Sequence, residues 1–399
     1  MKLIHRPWLI RAYNFFNWDS TLELADLIAS AEKKTGLKDF GEDPFKEGLE
    51  RLLQSMKQEA KLHAFGRFIT KQRIVNVLAN RLRIEAIIKK NPEILHIEIK
   101  APIIITGLQR TGTTRLHRLL SAHKDVRALL SWEALQPAPI ANDIENKQRI
   151  QFAKTAERAL KYMSPDFFAI HPVEHLAPEE DILLNDMSFV STVPEATMHV
   201  PSYAAWVEIQ SHLHPYTYLK KVLQVLTWQH PKSRWVLKTP QYLEFLEESL
   251  QVFPDAYIIH TYRDPLKVIP SFSSMVYQSR AIFSDEVDAK EVANHWLKKN
   301  SYMMNKAIDY WDKNAASKVL HLSYYDMLKD AKSNMQKIFS FVGLEMNESV
   351  VEALETIDKE NTQHKYGVHQ YDLADFGLSP ADVNTAFDIY RKKFDIPYE

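Results

Sequence analysis

The residues best spaced to do chemistry lie between Ile103 and Leu116. Gly107-Leu108-Gln109-Arg110-Thr111-Gly112-Thr113-Thr114 follows the apolar run Ile103-Ile104-Ile105-Thr106 and precedes Leu116, Leu119 and Leu120 at helical spacing. A buried strand, a glycine-bracketed turn and a helix start make an anion site. The first N–H groups of a helix lack intrahelical partners and lie at the positive end of its dipole. Gly107 and Gly112 let the backbone turn tightly and approach a ligand, while Thr111, Thr113 and Thr114 add hydroxyl donors. The spacing from Gly107 to Gly112 matches G-x-x-x-x-G of the nucleoside-triphosphatase loop, but Thr113 stands where that motif requires lysine. Arg110 is the only cation inside the loop. A cradle with its cation displaced in this way suits a phosphorylated ligand whose terminal group is not an ordinary γ-phosphate.

Two further groups have chemical potential. Arg263 follows the apolar run Ala256–Tyr262, and Ser271 lies eight residues beyond it. A planar Arg fork with a Ser hydroxyl fits a second phosphate group, although Arg263 paired with Asp264 and Ser271 as a helix cap fits the same spacing. The other group is His171, His175, Glu179, Glu180 and Asp181. A carboxylate partly buried beside a pocket has its pKa raised and can serve as a general base. The same Pro178-Glu179-Glu180-Asp181 run also reads as a helix N-terminus, with proline in the first turn and acids complementing the dipole. Pro172 between the two histidines opposes a helical metal pair, and no H-E-x-x-H occurs. No bound metal is expected.

The elements that must position these groups are legible as alternating apolar runs. Trp235-Val236-Leu237 precedes Lys238-Thr239-Pro240, Ala256–Tyr262 precedes Arg263-Asp264-Pro265, and Lys318–Leu322 precedes Ser323-Tyr324. Each is short, apolar and followed by helical sequence, as in parallel strands buried on both faces. The polar residues after each strand then gather at the carboxyl edge of the sheet, where open α/β sheets bind ligands. The fold class is α/β. Residues 1–98 read as a helical layer: Leu49, Leu52, Leu53 and Met56 share one face, and Ile74, Val77, Leu78, Leu82 and Ile88 another. Residues 99–399 form the main domain. Gln136-Pro137-Ala138-Pro139 is a loop, and 143–232 is helical sequence broken by prolines. Phe167, Phe168, Phe189, Trp206 and Tyr216 of that region are expected to line an acceptor pocket. Ser379-Pro380-Ala381-Asp382 starts a late helix.

Composition bounds the function. A chain of 399 residues with 45% hydrophobic and 25% charged residues has material for a sizeable core. Its net charge of −1 argues against a nucleic-acid partner. The absence of cysteine excludes disulfides, thiol nucleophiles and thiolate metal sites, and fits a reducing compartment. Lys2, His5, Arg6 and Arg11 interrupt the N-terminal apolar residues, leaving neither a signal-peptide core nor a membrane span. A cytoplasmic protein is expected.

Taken together, the two anchors resemble those of the sulfotransferases that use 3′-phosphoadenosine 5′-phosphosulfate (PAPS). Gln109-Arg110-Thr111-Gly112-Thr113-Thr114 is similar to their 5′-phosphosulfate loop, and Tyr262-Arg263-Asp264-Pro265 through Ser271 to their 3′-phosphate site. Ser131-Trp132-Glu133, Pro178–Asp181, Trp235–Pro240 and Phe376-Gly377-Leu378 extend the resemblance to the large bacterial group of that family, over about 99–399. It implies a P-loop-type three-layer domain around a central parallel sheet. It implies PAPS as donor and a small or medium-sized acceptor presenting a hydroxyl or amine.

The resemblance also implies roles. Arg110 would bind the phosphosulfate and its leaving oxygen, with Thr111, Gly112, Thr113 and Thr114 on the 5′-phosphate. Arg263 and Ser271 would hold the 3′-phosphate, His364-Lys365-Tyr366 would close over the nucleotide, and Trp132 or Tyr324 would stack on adenine. Lys238 would face the transferring sulfuryl group, with fixed cations in place of a metal. Relatives that read Lys-Thr-His after this strand use the His as base; here Pro240 replaces it, so the base is expected from Glu180, then Glu179, then His175. A P-loop kinase of small molecules and a non-catalytic nucleotide-binding protein are the competing readings.

Overall fold

Four apolar runs and one short charged one become the strands of a single parallel sheet in the computed structural model, which describes residues 6–18, 20–42, 44–140, 143–231, 234–360 and 372–399. The strands are β1 (Ile103–Gly107), β2 (Val126–Ala128), β3 (Arg234–Lys238), β4 (Tyr257–Tyr262) and β5 (Val319–Ser323). Their spatial order is β2-β3-β1-β4-β5, and every pairing is parallel. The register sets Lys238 opposite Ile105, and Gly107 opposite Thr261. The carboxyl ends of β1, β3 and β4, with the polar residues that follow them, therefore lie side by side.

Strand side chains alternate between two cores, which makes the domain three-layered. Ile104, Trp235 and Leu237 pack with the helix Leu213–Gln229 on one face. Ile103, Ile105, Val236 and Ile259 pack on the other face with Leu116, Leu119 and Leu120 of the helix Thr113–Ser121 and with the helix Ala331–Val342. This is the central parallel sheet expected from the strand runs.

β2 has no counterpart among the expected strands. It is three residues long and its centre is Arg127, so it shows no apolar run. The buried guanidinium donates to the carbonyls of Leu226 (2.7 Å) and His230 (2.9 Å), pairs with Glu133 at 2.6 Å and lies over the Trp235 ring. Glu133 of the Ser131-Trp132-Glu133 motif is thus a structural counter-charge. Trp132 is buried beneath Arg149 instead of lining the cleft.

The helices Leu24–Thr35, Pro44–Glu59 and Ala64–Lys90 precede the sheet. They share one core with Phe189, Val190, Tyr203 and Val207, while Ile84 and Ile88 enter the sheet's own core. Arg81 ties these parts together. Fully buried, it donates to the carbonyls of Phe40 (2.7 Å), Glu42 (2.9 Å) and Met187 (2.9 Å), between the rings of Phe45 and Tyr218. Losing that fork leaves three acceptors unpaired, at ~1–3 kcal/mol each when buried. Arg81→Leu should therefore cost on the order of 3 kcal/mol or more in urea unfolding; an unchanged midpoint would show that the carbonyls find other donors.

Candidate active site

The turn after β1 is held open by its own hydrogen bonds. Gly107 has φ 148°, and a Cβ there would stand 2.4 Å from the Thr261 carbonyl. Gly112 has φ 89°, and a Cβ would press on the Tyr324 ring at 3.1 Å. Arg110 adopts φ 69°, a left-handed conformation that costs any residue with a Cβ energy and is held here by contacts. The Thr111 hydroxyl donates to the Leu108 carbonyl (2.6 Å) and meets the Thr261 hydroxyl at 2.7 Å. The Thr111 side chain thus braces the loop, and what it offers a ligand is its backbone N–H. Thr113 is buried, whereas Thr114 is exposed at the first turn of the helix. Both line a cleft of about 1010 Å³ together with Arg110, Gly112, Arg263 and Tyr324.

The second anchor joins the first. Arg110 Nε donates to Ser271 Oγ at 3.0 Å, and Arg263 Nη1 donates to the Arg110 carbonyl at 3.3 Å. Ser271 is therefore bound to the loop cation rather than to Arg263. Asp264 is not the partner of Arg263 either: it caps the helix Pro265–Ala281 and pairs with Arg391. Arg263 instead presents its fork to Glu399, with Nε and Nη2 at 3.1 and 2.8 Å from the two carboxylate oxygens, and stacks on Tyr324. His364, Lys365 and Tyr366 lie outside the described residues.

The acidic segment is pinned across the end of β3. Ser131 N–H donates to the Ala177 carbonyl (2.9 Å) and Glu179 N–H to the Leu129 carbonyl (2.8 Å). Asp181, fully buried, accepts from the Lys238 N–H (2.7 Å) and the Tyr242 hydroxyl (2.6 Å). Burial, only partly offset by these donors, pushes its carboxyl up to about 6. Lys238 Nζ, itself buried, is 2.6 Å from Glu180 Oε1. Glu179 accepts the Glu180 N–H (2.8 Å), and burial raises its pKa. The helix that follows, Ile182–Asn185, starts after these acids, and Asp181 makes no side-chain cap to it.

The two histidines separate. His175 Nδ1 lies 2.5 Å from Glu157, and its N–H donates to the same carboxylate, away from the cleft. His171 lies beside the loop, its pKa pushed down to about 4 by burial, so it is neutral at pH 7. In the sequence the pair looks equivalent; only the fold distinguishes them.

A second cavity, of about 290 Å³, opens from the first. Gln109, His171, Glu180, Pro240 and Met275 line both. Beyond that junction its walls are largely apolar, including Phe167, Val193, Phe272, Val276 and Trp296, with Glu179, Thr192 and Gln241 among the polar exceptions. Of the aromatics expected here, Phe167 alone takes part. Phe189 and Trp206 pack in or against the N-terminal core, Tyr216 stacks on Tyr242, and Phe168 is buried beneath Lys161. Phe272, Met275 and Trp296 come instead from the helices Pro265–Ala281 and Ala289–Lys313.

An anion loop after the first strand and cations at the ends of neighbouring parallel strands define a P-loop-type α/β domain. The model of the sulfotransferase family matches residues 102–348, and the chain belongs to that family. Its fold is similar to the crystal structure of sulfotransferase STF1 from Mycobacterium tuberculosis, at 28% identity and TM-score 0.81 over 92% of this chain and 98% of that one. It also superposes on STF9 from Mycobacterium avium, at TM-score 0.86 and 24% identity over 96% and 99% of the two chains. Among curated relatives, the omega-hydroxy-beta-dihydromenaquinone-9 sulfotransferase Stf3 of Mycobacterium bovis is 24% identical over 61% of this chain. The match spans 63% of that relative's length.

Asp181 offers a test of how the acidic segment is held. Its folded pKa of about 6 exceeds the ordinary 3.8, so the native state binds the proton more tightly. The resulting stabilisation is complete below pH 4 and is lost as pH rises through 6. Asp181→Asn cannot titrate. The stability of the wild type relative to this variant should fall between pH 4 and 6 by on the order of 3 kcal/mol, then level off. A pH-independent difference in urea unfolding would remove the buried carboxyl from this account.

Proposed function

We propose that the protein moves the sulfuryl group of PAPS to a hydroxyl of an acceptor with a largely apolar body. One observation carries this reading: Glu180, paired with Lys238, stands where the cationic cleft opens into the apolar pocket. A donor in the first cavity and an acceptor in the second would meet at these two side chains. The cleft also fits the donor chemically. Gly112 lines it at the start of the helix, and Arg263 already grips a carboxylate with the planar geometry a phosphate would take. The name of the Stf3 relative specifies an omega-hydroxy acceptor, which agrees with an oxygen nucleophile presented from an apolar pocket.

The roles follow from position. The N–H groups of Thr111 to Thr114, with the Thr114 hydroxyl, bind the 5′-phosphate at the helix start. Arg110 and Lys238 neutralise the charge that grows on the bridging oxygen as its bond to sulfur breaks. Arg263 holds the 3′-phosphate in place of Glu399. Glu180 accepts the proton of the acceptor hydroxyl while its oxygen bonds to sulfur, and neutral His171 lies beside the same point. Glu179 lines the acceptor side and is the second candidate base. Lys365 remains a candidate for the nucleotide. No residue in this scheme calls for a bound metal, and the donor itself supplies the transferring group.

Glu180→Gln should lower kcat by about 10²–10⁴-fold while the affinity for 3′-phosphoadenosine 5′-phosphate is retained. Retained turnover would transfer the base to another residue. The nucleotide site is tested by calorimetry with the same product nucleotide. Arg263→Ala should weaken binding by about 10–100-fold, the worth of a charged hydrogen-bonded pair. Glu399→Gln should strengthen it, because a neutral amide competes less well for the guanidinium. Equal affinities in wild type and both variants would place the 3′-phosphate elsewhere. Transfer that requires ATP and Mg²⁺ instead of PAPS would overturn the reaction itself.

A further inference from the structure

The helix Trp8–Phe16 is amphipathic in the wrong sense for a free surface. Its inward side is well anchored: Ile10 is buried, Tyr13 packs on Phe65 and Phe68 at ring distances of 5.5 and 5.6 Å, and Asn14 Oδ1 accepts the Phe65 N–H at 2.9 Å. Just before the helix, Arg6 donates to Asp285 Oδ1 and to the Ser284 carbonyl, both at 2.8 Å. The outward side carries Trp8, Leu9, Phe15 and Phe16, which are 66, 52, 84 and 64% exposed, and Trp18 follows at 57%. At 100° per residue the four helical positions fall on one face, with Arg11 at its margin. Isolated exposed apolar side chains need no explanation, but five large ones within eleven residues on an anchored helix form a patch that asks for a cover.

We propose that this face docks the protein on a lipid bilayer that carries anionic headgroups. Tryptophan rings suit the boundary between headgroup and acyl chain, where an apolar body and a polar N–H are both satisfied, and phenylalanine and leucine add apolar area to bury beneath it. Charge favours the same partner. From Trp8 to Trp18 the chain carries Arg11 and no Asp or Glu, while Arg6 is already paired with Asp285, so Arg11 is the basic residue that the exposed face offers a negatively charged surface. A helix of nine residues is far too short to span a bilayer, and no helix among the described residues is long and apolar enough to do so. The segment lies on the surface.

The location gives the docking a purpose. The turn at Ser284 and Asp285 that anchors Arg6 continues from the helix Pro265–Ala281, whose Met275, Val276 and Ser279 wall the apolar cavity. The turn that receives Arg6 and one wall of the apolar cavity are thus successive parts of one chain segment, 275–285. This link to the acceptor rests on the reading of the pocket given above; the docking itself does not.

The test is flotation of the full chain with phosphatidylcholine vesicles, with and without phosphatidylglycerol. The wild type should float with the anionic vesicles, less so as salt rises. A variant combining Trp8→Ser, Phe15→Ser and Phe16→Ser should partition at least about tenfold more weakly. Its thermal midpoint should be unchanged, since these side chains are exposed, and that measurement guards against misfolding. Arg11→Glu should weaken binding to anionic vesicles while keeping the aromatic face. A wild type that stays with the dense fraction in both vesicle types overturns the proposal, as does a triple variant that floats equally well. A dimer in gel filtration that the triple variant abolishes, without flotation, assigns the face to a second copy and also overturns it. None of these readouts uses turnover, so they stand or fall separately from the sulfotransferase reaction.

Discussion

The site depends on one partly buried contact, the ion pair between Lys238 at the end of β3 and Glu180 on the segment crossing it. Taking two charges out of water is costly, and a buried pair adds stability only when its geometry and remaining hydrogen bonds are satisfied. Here the backbone around the pair is fixed first. Asp181 takes the Lys238 N–H and the Tyr242 hydroxyl, and the backbone of residues 177–179 is bonded to that of 129–131. With both partners held, neither charge has to find the other at the cost of ordering a loop. Remove the acidic segment and the floor between the two cavities goes with it, because Glu180 and His171 line both.

The cations of the cleft share a design. Lys238 faces Glu180 and Arg263 faces Glu399, each acid arriving from a segment remote in the chain from its partner. A cationic site must be neutralised, and in the proposed reaction Glu399 is the carboxylate that an incoming phosphate replaces, while Glu180 stays beside Lys238. Arg110 differs in having neutral partners, Ser271 Oγ and the Ile170 carbonyl. They orient its side chain without cancelling its charge, as expected of a group that must be ready where negative charge develops. The strained backbone at Arg110 fits the same account, since the Thr111 hydroxyl and Thr261 hold the loop in shape before any ligand contributes.

What could be read from the sequence was whatever is contiguous. The loop, its glycines, four of the five strands and both basic anchors are each written in fewer than ten residues, and the parallel sheet brings the anchors together without further information. β2 escaped because Arg127 sits at its centre, neutralised by Glu133 and two carbonyls that no periodicity reveals. The Glu399 carboxylate on Arg263 was equally invisible, being 136 positions away. Pocket aromatics fared worst. Phe189, Trp206 and Tyr216 have the right chemistry and the right neighbourhood in sequence, but helix packing commits them to cores. His171 and His175 illustrate the limit at its finest grain: four residues apart, they are sorted only by Glu157, which draws one of them away.

The helix Pro265–Ala281 acts as a ruler for the whole arrangement. Asp264 caps its start beside Arg263, and Ser271 about two turns on contacts Arg110. Phe272, Met275, Val276 and Ser279 then form a wall of the apolar cavity, and the turn at Ser284 and Asp285 receives the N-terminal segment. Because a helix rises a fixed 1.5 Å per residue, the spacings between donor anchor, junction and acceptor wall are set by sequence position along one rigid element. Changes elsewhere can reshape the pocket's far walls, which come from separate helices, without altering the distance from the donor to the point of transfer. The order along the ruler is also chemical, passing from charged through amphipathic to apolar. In the proposed reaction that gradient would orient an acceptor with its polar end inward, at Glu180, and its apolar body trailing away from the donor.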